Sequence, residues 1–118
     1  MRGQEERRLT MTVNELCSSC GFEEICIPDG EHEVSGAYIG DLLSWVMGRA
    51  NADNAWITIM SNVNVIAVAS LSDVACVILA EGVSLDEELK NTAIQKGINV
   101  LSSKLPSYET ASLLIGKV

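Results

Sequence analysis

Apolar residues recur along this chain at two spacings, three to four residues apart and every residue or two, and the changes between them mark its elements. In residues 12 to 20 (TVNELCSSC), Val13, Leu16 and Cys17 share a helical face. Thr12 and Glu15 have the spacing of a capping box, and Gly21 stops the helix. Phe22 to Ile27 reads as a strand closed by the turn Pro28-Asp29-Gly30, and a second extended run covers Glu33 to Ile39. Leu42, Leu43, Val46, Met47 and Ala50 then return at the spacing of an amphipathic helix, with Asp41 placed to cap its amide end and Asn51 to Asn54 as the loop behind it.

Trp56 to Met60 and Ala75 to Leu79 are strand-like, the second with the unbroken apolar character of a strand covered on both faces. The intervening NVNVIAVASLSD is rich in β-branched residues, and propensity alone would make it another strand. Parallel neighbours, however, need a crossover of about a dozen residues, so residues 62 to 71 are predicted as a helix capped by Asn62. Further on, Ser84 and Glu87 have capping-box spacing, Leu85, Leu89 and Ala93 form a stripe, and Gly97 closes that helix. Ile98 to Leu101 is a short strand, and Pro106 opens a last helix whose Tyr108, Ala111 and Ile115 are expected to face the core. Regular alternation of strand and helix predicts an α/β fold: three layers, α/β/α, around a largely parallel mixed sheet of about five strands.

Length and charge narrow the setting. The 118 residues suit one domain, read here as a flexible extension over residues 1–11 and a single folded unit over 12–118. No apolar stretch reaches the roughly 20 residues of a membrane span, and no apolar segment follows the charged start MRGQEERRLTM, so a cytoplasmic protein is expected. A net charge of −8, from 16 acidic against 8 basic residues, disfavours nucleic acid and anionic lipid as partners.

The stretch AWITIMSNVNVIAVASLSDVACVILAEGVSLDEELKNTAIQKGINVLSSKLPSYETASLL resembles the DRTGG domain in order and spacing, and the preceding VSGAYIGDLLSWVMGRA resembles its short, stand-alone members. The resemblance extends over about residues 12 to 116. It implies a fold similar to the N-terminal domain of HPr kinase/phosphorylase and a role as a regulatory or assembly module, often dimeric. Relatives of this kind are fused to CBS pairs, phosphotransacetylases or dethiobiotin-synthase-like domains. The chain departs from the name-giving pattern at Ser61-Asn62-Val63-Asn64, where many members have Asp-Arg, and at Ala80-Glu81-Gly82, where they have Thr-Gly-Gly. The nucleotide-binding catalytic domain of HPr kinase is not part of this stretch, so kinase activity does not carry over.

Candidate chemistry falls in two places. Cys17-Ser-Ser-Cys20 has CxxC spacing, and Cys26 and His32 follow at intervals that could complete a Cys3His zinc set. There is no second close pair, which favours small core residues over ligands. The CxxC also ends a helix, whereas a low-pKa thiol belongs at a helix start. No metal or cofactor is expected. The second place is the carboxyl ends of the parallel strands, where such sheets hold ligands. Asp41, Thr58, Ser61, Asn62, Asn64, Glu81 and Gly82 fall there as candidates for a small anionic or nucleotide ligand. The competing reading makes Asp41 and Asn62 helix caps and Gly82 a turn residue. Asp86, Glu87 and Glu88 read as the solvated acidic start of a helix.

Catalysis finds little support: the single histidine, His32, has no visible partner, and GxxxxGK[ST], GxSxG and HExxH are all missing. Trp45 widens the apolar face of its helix and is a candidate for a subunit interface. The sequence therefore predicts a non-catalytic regulatory or ligand-sensing module, acting as a homodimer or on a partner such as a kinase or redox enzyme. A small phosphotransfer or hydrolytic enzyme using Asp41 and the asparagines, and a purely structural assembly subunit, are the alternatives.

Overall fold

The computed structural model describes residues 11–118. The chain runs β1 (Met11–Thr12), α1 (Val13–Cys20), β2 (Glu23–Cys26), β3 (Glu33–Val34), β4 (Ala37–Ile39), α2 (Leu43–Arg49), β5 (Ala55–Thr58), α3 (Val63–Ser72), β6 (Cys76–Leu79), α4 (Glu87–Gln95), β7 (Val100–Ser102) and α5 (Ser107–Ser112). The main sheet has the order β2-β7-β6-β5-β4, in which β4 to β7 are parallel and only β2 is antiparallel, while β1 and β3 form a separate two-stranded ribbon. It is the expected five-stranded mixed sheet. Of the expected extension over residues 1–11, all but Met11 lies outside the described residues. Met11 itself pairs with Val34.

The crossover between β5 and β6 is helical despite its valines. Asn62 caps it by accepting the Asn64 N–H at 2.9 Å, and Asp73 closes it in the left-handed region at φ 55. Burial decides against propensity here. Val65, Ile66, Val68 and Ala69 fall on the buried face, and Val63 and Leu71 on the exposed one. α2, α3 and α4 cover one face of the sheet, where Val46, Trp56, Ile66, Val77, Leu79 and Ala93 form one core. α1, α5 and the ribbon cover the other, where Val13, Leu16, Val34, Ile57, Ile78 and Leu114 form the second.

Three expectations need correction. The extended run over 33 to 39 is two strands, because Gly36, in the left-handed region at φ 74, turns the chain from the ribbon into the main sheet. α4 starts later than Ser84 and Glu87 suggest: its cap is Asp86, which accepts the Leu89 N–H at 2.8 Å. In α5 the core face is not Tyr108 and Ile115, which are 80% and 81% exposed, but the fully buried Thr110 with Leu114 behind it. Thr110 satisfies its hydroxyl against Ser103 Oγ at 2.8 Å and the Leu105 carbonyl at 3.2 Å, so a polar side chain takes the place an apolar one was expected to hold.

Two buried asparagines brace the opposite, amino-terminal end of the sheet. The Asn99 amide donates to the carbonyls of Asp29 and Ala75 at 2.8 and 2.9 Å, and its oxygen accepts the Asp29 N–H at 2.9 Å. Asn54 accepts the Asn51 N–H at 2.8 Å and donates to the Ser35 carbonyl at 2.8 Å.

Candidate functional site

Because β4 to β7 are parallel, the segments that follow them share one edge of the sheet: Gly40-Asp41, Ile59 to Asn64, Ala80 to Val83 and Ser103 to Leu105. The best-defined contact on this rim is a clamp between Asp41 and the end of β5. Asp41 Oδ1 accepts the Thr58 hydroxyl at 2.7 Å and the Ile59 N–H at 3.1 Å, and Thr58 Oγ1 in turn accepts the Met60 N–H at 3.2 Å. Asp41 is therefore not the cap of α2. That helix begins behind Leu42, which makes no side-chain cap bond. Thr58 is buried and both functions of its hydroxyl are used, which makes it a positioning residue rather than an open contact.

Beside the clamp, Ser61 is half-buried, and Asn62 and Asn64 are exposed at the start of α3. Glu81 and Gly82 lie one strand over, in a turn with both residues in the left-handed region at φ 62 and 72. There α4 leaves for one face of the sheet and α5 for the other, the kind of divergence that opens a ligand crevice in α/β proteins. In this chain the two loops are stitched together. The Glu81 N–H donates to Leu105 O at 2.9 Å, Gly82 N–H to Ser103 O at 2.8 Å and Ser102 Oγ to Val83 O at 3.0 Å, while the Val83 N–H closes its own turn on Ala80 O at 3.2 Å. The amides that would cradle an anion at Glu81 and Gly82 are already used.

Several apolar side chains of β4, the start and body of α2, the end of β5 and the start of α3 are open. Ile39, Leu42, Trp45, Met47, Ile59 and Val63 are each 45–57% exposed. The Arg49 guanidinium lies over the Trp45 ring at 3.8 Å from its centroid, holding the indole outward on α2. A cleft of about 170 Å³ lies toward the other side of this rim from the clamp, between the end of α1 and the loop after β7, lined by Cys20, Phe22, Glu23, Ser103 and Lys104 among others. Nothing in the sequence pattern marked it, since its walls come from three distant segments.

The cysteine and histidine candidates do not converge. Cys17 and Cys20 pack on the α1 face and Cys26 in the core on the opposite face. His32 is held at the other end of the sheet, its Nε2 2.7 Å from Asp53 Oδ1 and its Nδ1 3.6 Å from Asp29 Oδ2. The two ring nitrogens point to opposite sides, so those aspartates cannot share one ion with the ring. Among the described residues no cluster of three or more His, Cys, Asp or Glu is arranged for a metal. Burial pushes all four thiols up, Cys76 to about 12.

A family model described as the DRTGG domain matches residues 31–115, well over half of the chain. The chain belongs to the DRTGG domain family. This DRTGG domain is also similar in structure to the CBS and DRTGG domains of the regulatory region of Clostridium perfringens pyrophosphatase, solved in complex with its activator, diadenosine tetraphosphate. The TM-score is 0.68 at 14% sequence identity, over 91% of this chain and 47% of that one. The chain thus spans about half the length of that region, and at this identity the likeness is one of fold. No curated protein matches the chain. Of the two departures from the family pattern, one has a structural reading. Glu81 occupies a left-handed position where the Thr-Gly-Gly pattern puts glycine, and its N–H bond to Leu105 holds it there. Among the described residues no helix is long and apolar enough to cross a membrane.

Proposed function

We propose that this DRTGG domain is a regulatory module that works by docking, through α2 and the adjoining rim, against a second copy of itself, and so controls a partner enzyme. The observation that carries the reading is the exposed apolar set Ile39, Leu42, Trp45, Met47, Ile59 and Val63. An aromatic and a methionine among them, Trp45 and Met47, stand open on α2, and such side chains suit the centre of an interface. The family assignment supports a regulatory role.

Sedimentation velocity tests the docking surface. Wild type is expected to sediment as a dimer, Trp45→Glu as a monomer, and Tyr108→Glu, at a still more open site on α5, as wild type. A monomeric wild type, or a dimeric Trp45→Glu, would remove this reading. A ligand reading is favoured by one further observation: Asn62 and Asn64 stand in the open at the start of a helix beside the clamp, with the half-buried Ser61 next to them, and the pyrophosphatase region of similar fold was solved with a nucleotide activator. Diadenosine tetraphosphate is then expected to raise the melting temperature, and the rise to vanish in Asn62→Ala.

A further inference from the structure

Helix α1 ends on two cysteines one turn apart, just before Gly21 turns the chain left-handed at φ 72. Cys17 and Cys20 are half-buried and lean on the same core as Cys76. Residues three apart on a helix have Cα atoms roughly 5 Å apart, within the reach of a disulfide. Their Cβ atoms lie at about 5–6 Å, whereas an unstrained bridge wants roughly 4 Å. The last turn of α1 must therefore give by an ångström or two for a bridge to close, and a helix end is where that costs least.

The thiols are also tied to different neighbours. The Cys17 S–H donates to the Phe22 carbonyl at 3.3 Å, and the Cys20 S–H to the Leu113 carbonyl at 3.6 Å, behind α5. Cys20 lines the 170 Å³ cleft beside Glu23, Ser103 and Lys104, so a small molecule can approach its sulfur from solvent. Cys26 sits on the other face of the sheet and Cys76 is completely buried within it, so neither competes.

We propose that Cys17 and Cys20 form a reversible dithiol–disulfide site, entered through this cleft by a small disulfide such as oxidised glutathione. Cys20 gives its proton to water and its thiolate attacks one sulfur of the oxidant. The oxidant's S–S bond breaks, and one glutathione leaves as thiolate. Cys17, deprotonated in turn, attacks the Cys20 sulfur of the mixed disulfide and releases the second glutathione. Two protein thiols are oxidised to one disulfide, and the oxidant is reduced to two thiols. Burial raises both thiols, Glu24 and Cys20 add to the effect at Cys17, and Lys117 opposes it at Cys20, which makes Cys20 the better first nucleophile and the exchange faster as pH rises. A bridge strained by the helix is readily reduced again, and its formation removes the S–H bonds that tie α1 to Phe22 and Leu113.

The test uses the whole chain, equilibrated with oxidised glutathione at pH 8, quenched in acid, unfolded and alkylated. Of its four cysteines, two are expected to escape alkylation, the peptide carrying Cys17 and Cys20 being lighter by two hydrogens, and dithiothreitol should restore all of them. Cys17→Ser should stall with one glutathione on Cys20, and Cys20→Ser should keep every remaining thiol free. Full alkylation of the oxidised wild type, a loss that maps to Cys26 or Cys76, or an adduct on Cys20 in wild type that never resolves would each overturn the proposal.

Discussion

Asp41 ties the segment ahead of α2 to the end of β5, through the Thr58 hydroxyl at 2.7 Å and the Ile59 N–H at 3.1 Å. An aspartate ahead of an apolar stripe has the pattern of a helix cap, and nothing local distinguishes that from its actual work, accepting the Thr58 hydroxyl and the Ile59 N–H across from β5. The distinction needs the neighbouring strand, which sequence alone does not bring near. Asp41→Ala strands the buried Thr58 hydroxyl, and a loss of about 1–3 kcal/mol is expected in urea unfolding with an unchanged slope. In Thr58→Val the further loss from Asp41→Ala should be smaller, because the shared bond is already gone. Equal losses in both backgrounds would argue that the clamp is not there. Tyr108 and Thr110 teach a related lesson: hydrophobic character favoured the tyrosine for the core, but Ser103 supplies the threonine with a buried partner that no spacing rule foresees.

At the scale of elements, α3 was legible for a topological reason rather than a compositional one. Two buried strands that run parallel demand a crossover, and that requirement outweighed six β-branched or small apolar residues that favour extension. Thr12 and Asn62 cap α1 and α3 as their spacing predicts, but where two polar residues compete ahead of a helix its start was less legible. Ser84 and Asp86 both stand ahead of α4, and only Asp86 accepts an amide of the first turn. Asp86→Ala is expected to cost about 1 kcal/mol in chemical unfolding and Ser84→Ala less than about 0.5 kcal/mol. The opposite order would restore the cap to Ser84. The split of residues 33 to 39 was hidden for another reason: Gly36 within an apolar run can be a bulge or a break, and only its φ of 74 decides.

For the whole molecule, the layers, the sheet and its parallel core were readable from periodicity, but the surface that is open on the finished fold was not. Trp45 stood out on its helix, whereas Ile39, Ile59 and Val63 read as ordinary strand and helix residues, and only the finished fold leaves them exposed. The core leaves a global signature in pH. Burial pushes the Cys76 thiol from its ordinary 9.0 up to about 12. The unfolded chain then loses this proton first, so its contribution to stability is complete below 9.0 and declines as pH climbs toward 12, with a slope of up to about 1.4 kcal/mol per unit. Cys76→Ala is expected to flatten that alkaline decline in urea titrations at successive pH values. Identical declines in wild type and variant would show that the thiol ionises freely in the fold.

The order of the sheet has one more consequence. β6, Cys-Val-Ile-Leu throughout, is shielded along one side only by β7, which the chain supplies some twenty residues later and which in turn anchors β2. A ribosome-bound chain that has not yet delivered Val100–Ser102, or a fragment cleaved ahead of them, presents a bare, uncharged strand border of the kind that recruits other chains into aggregates. Delivery of β7 is thus also the step that covers this border.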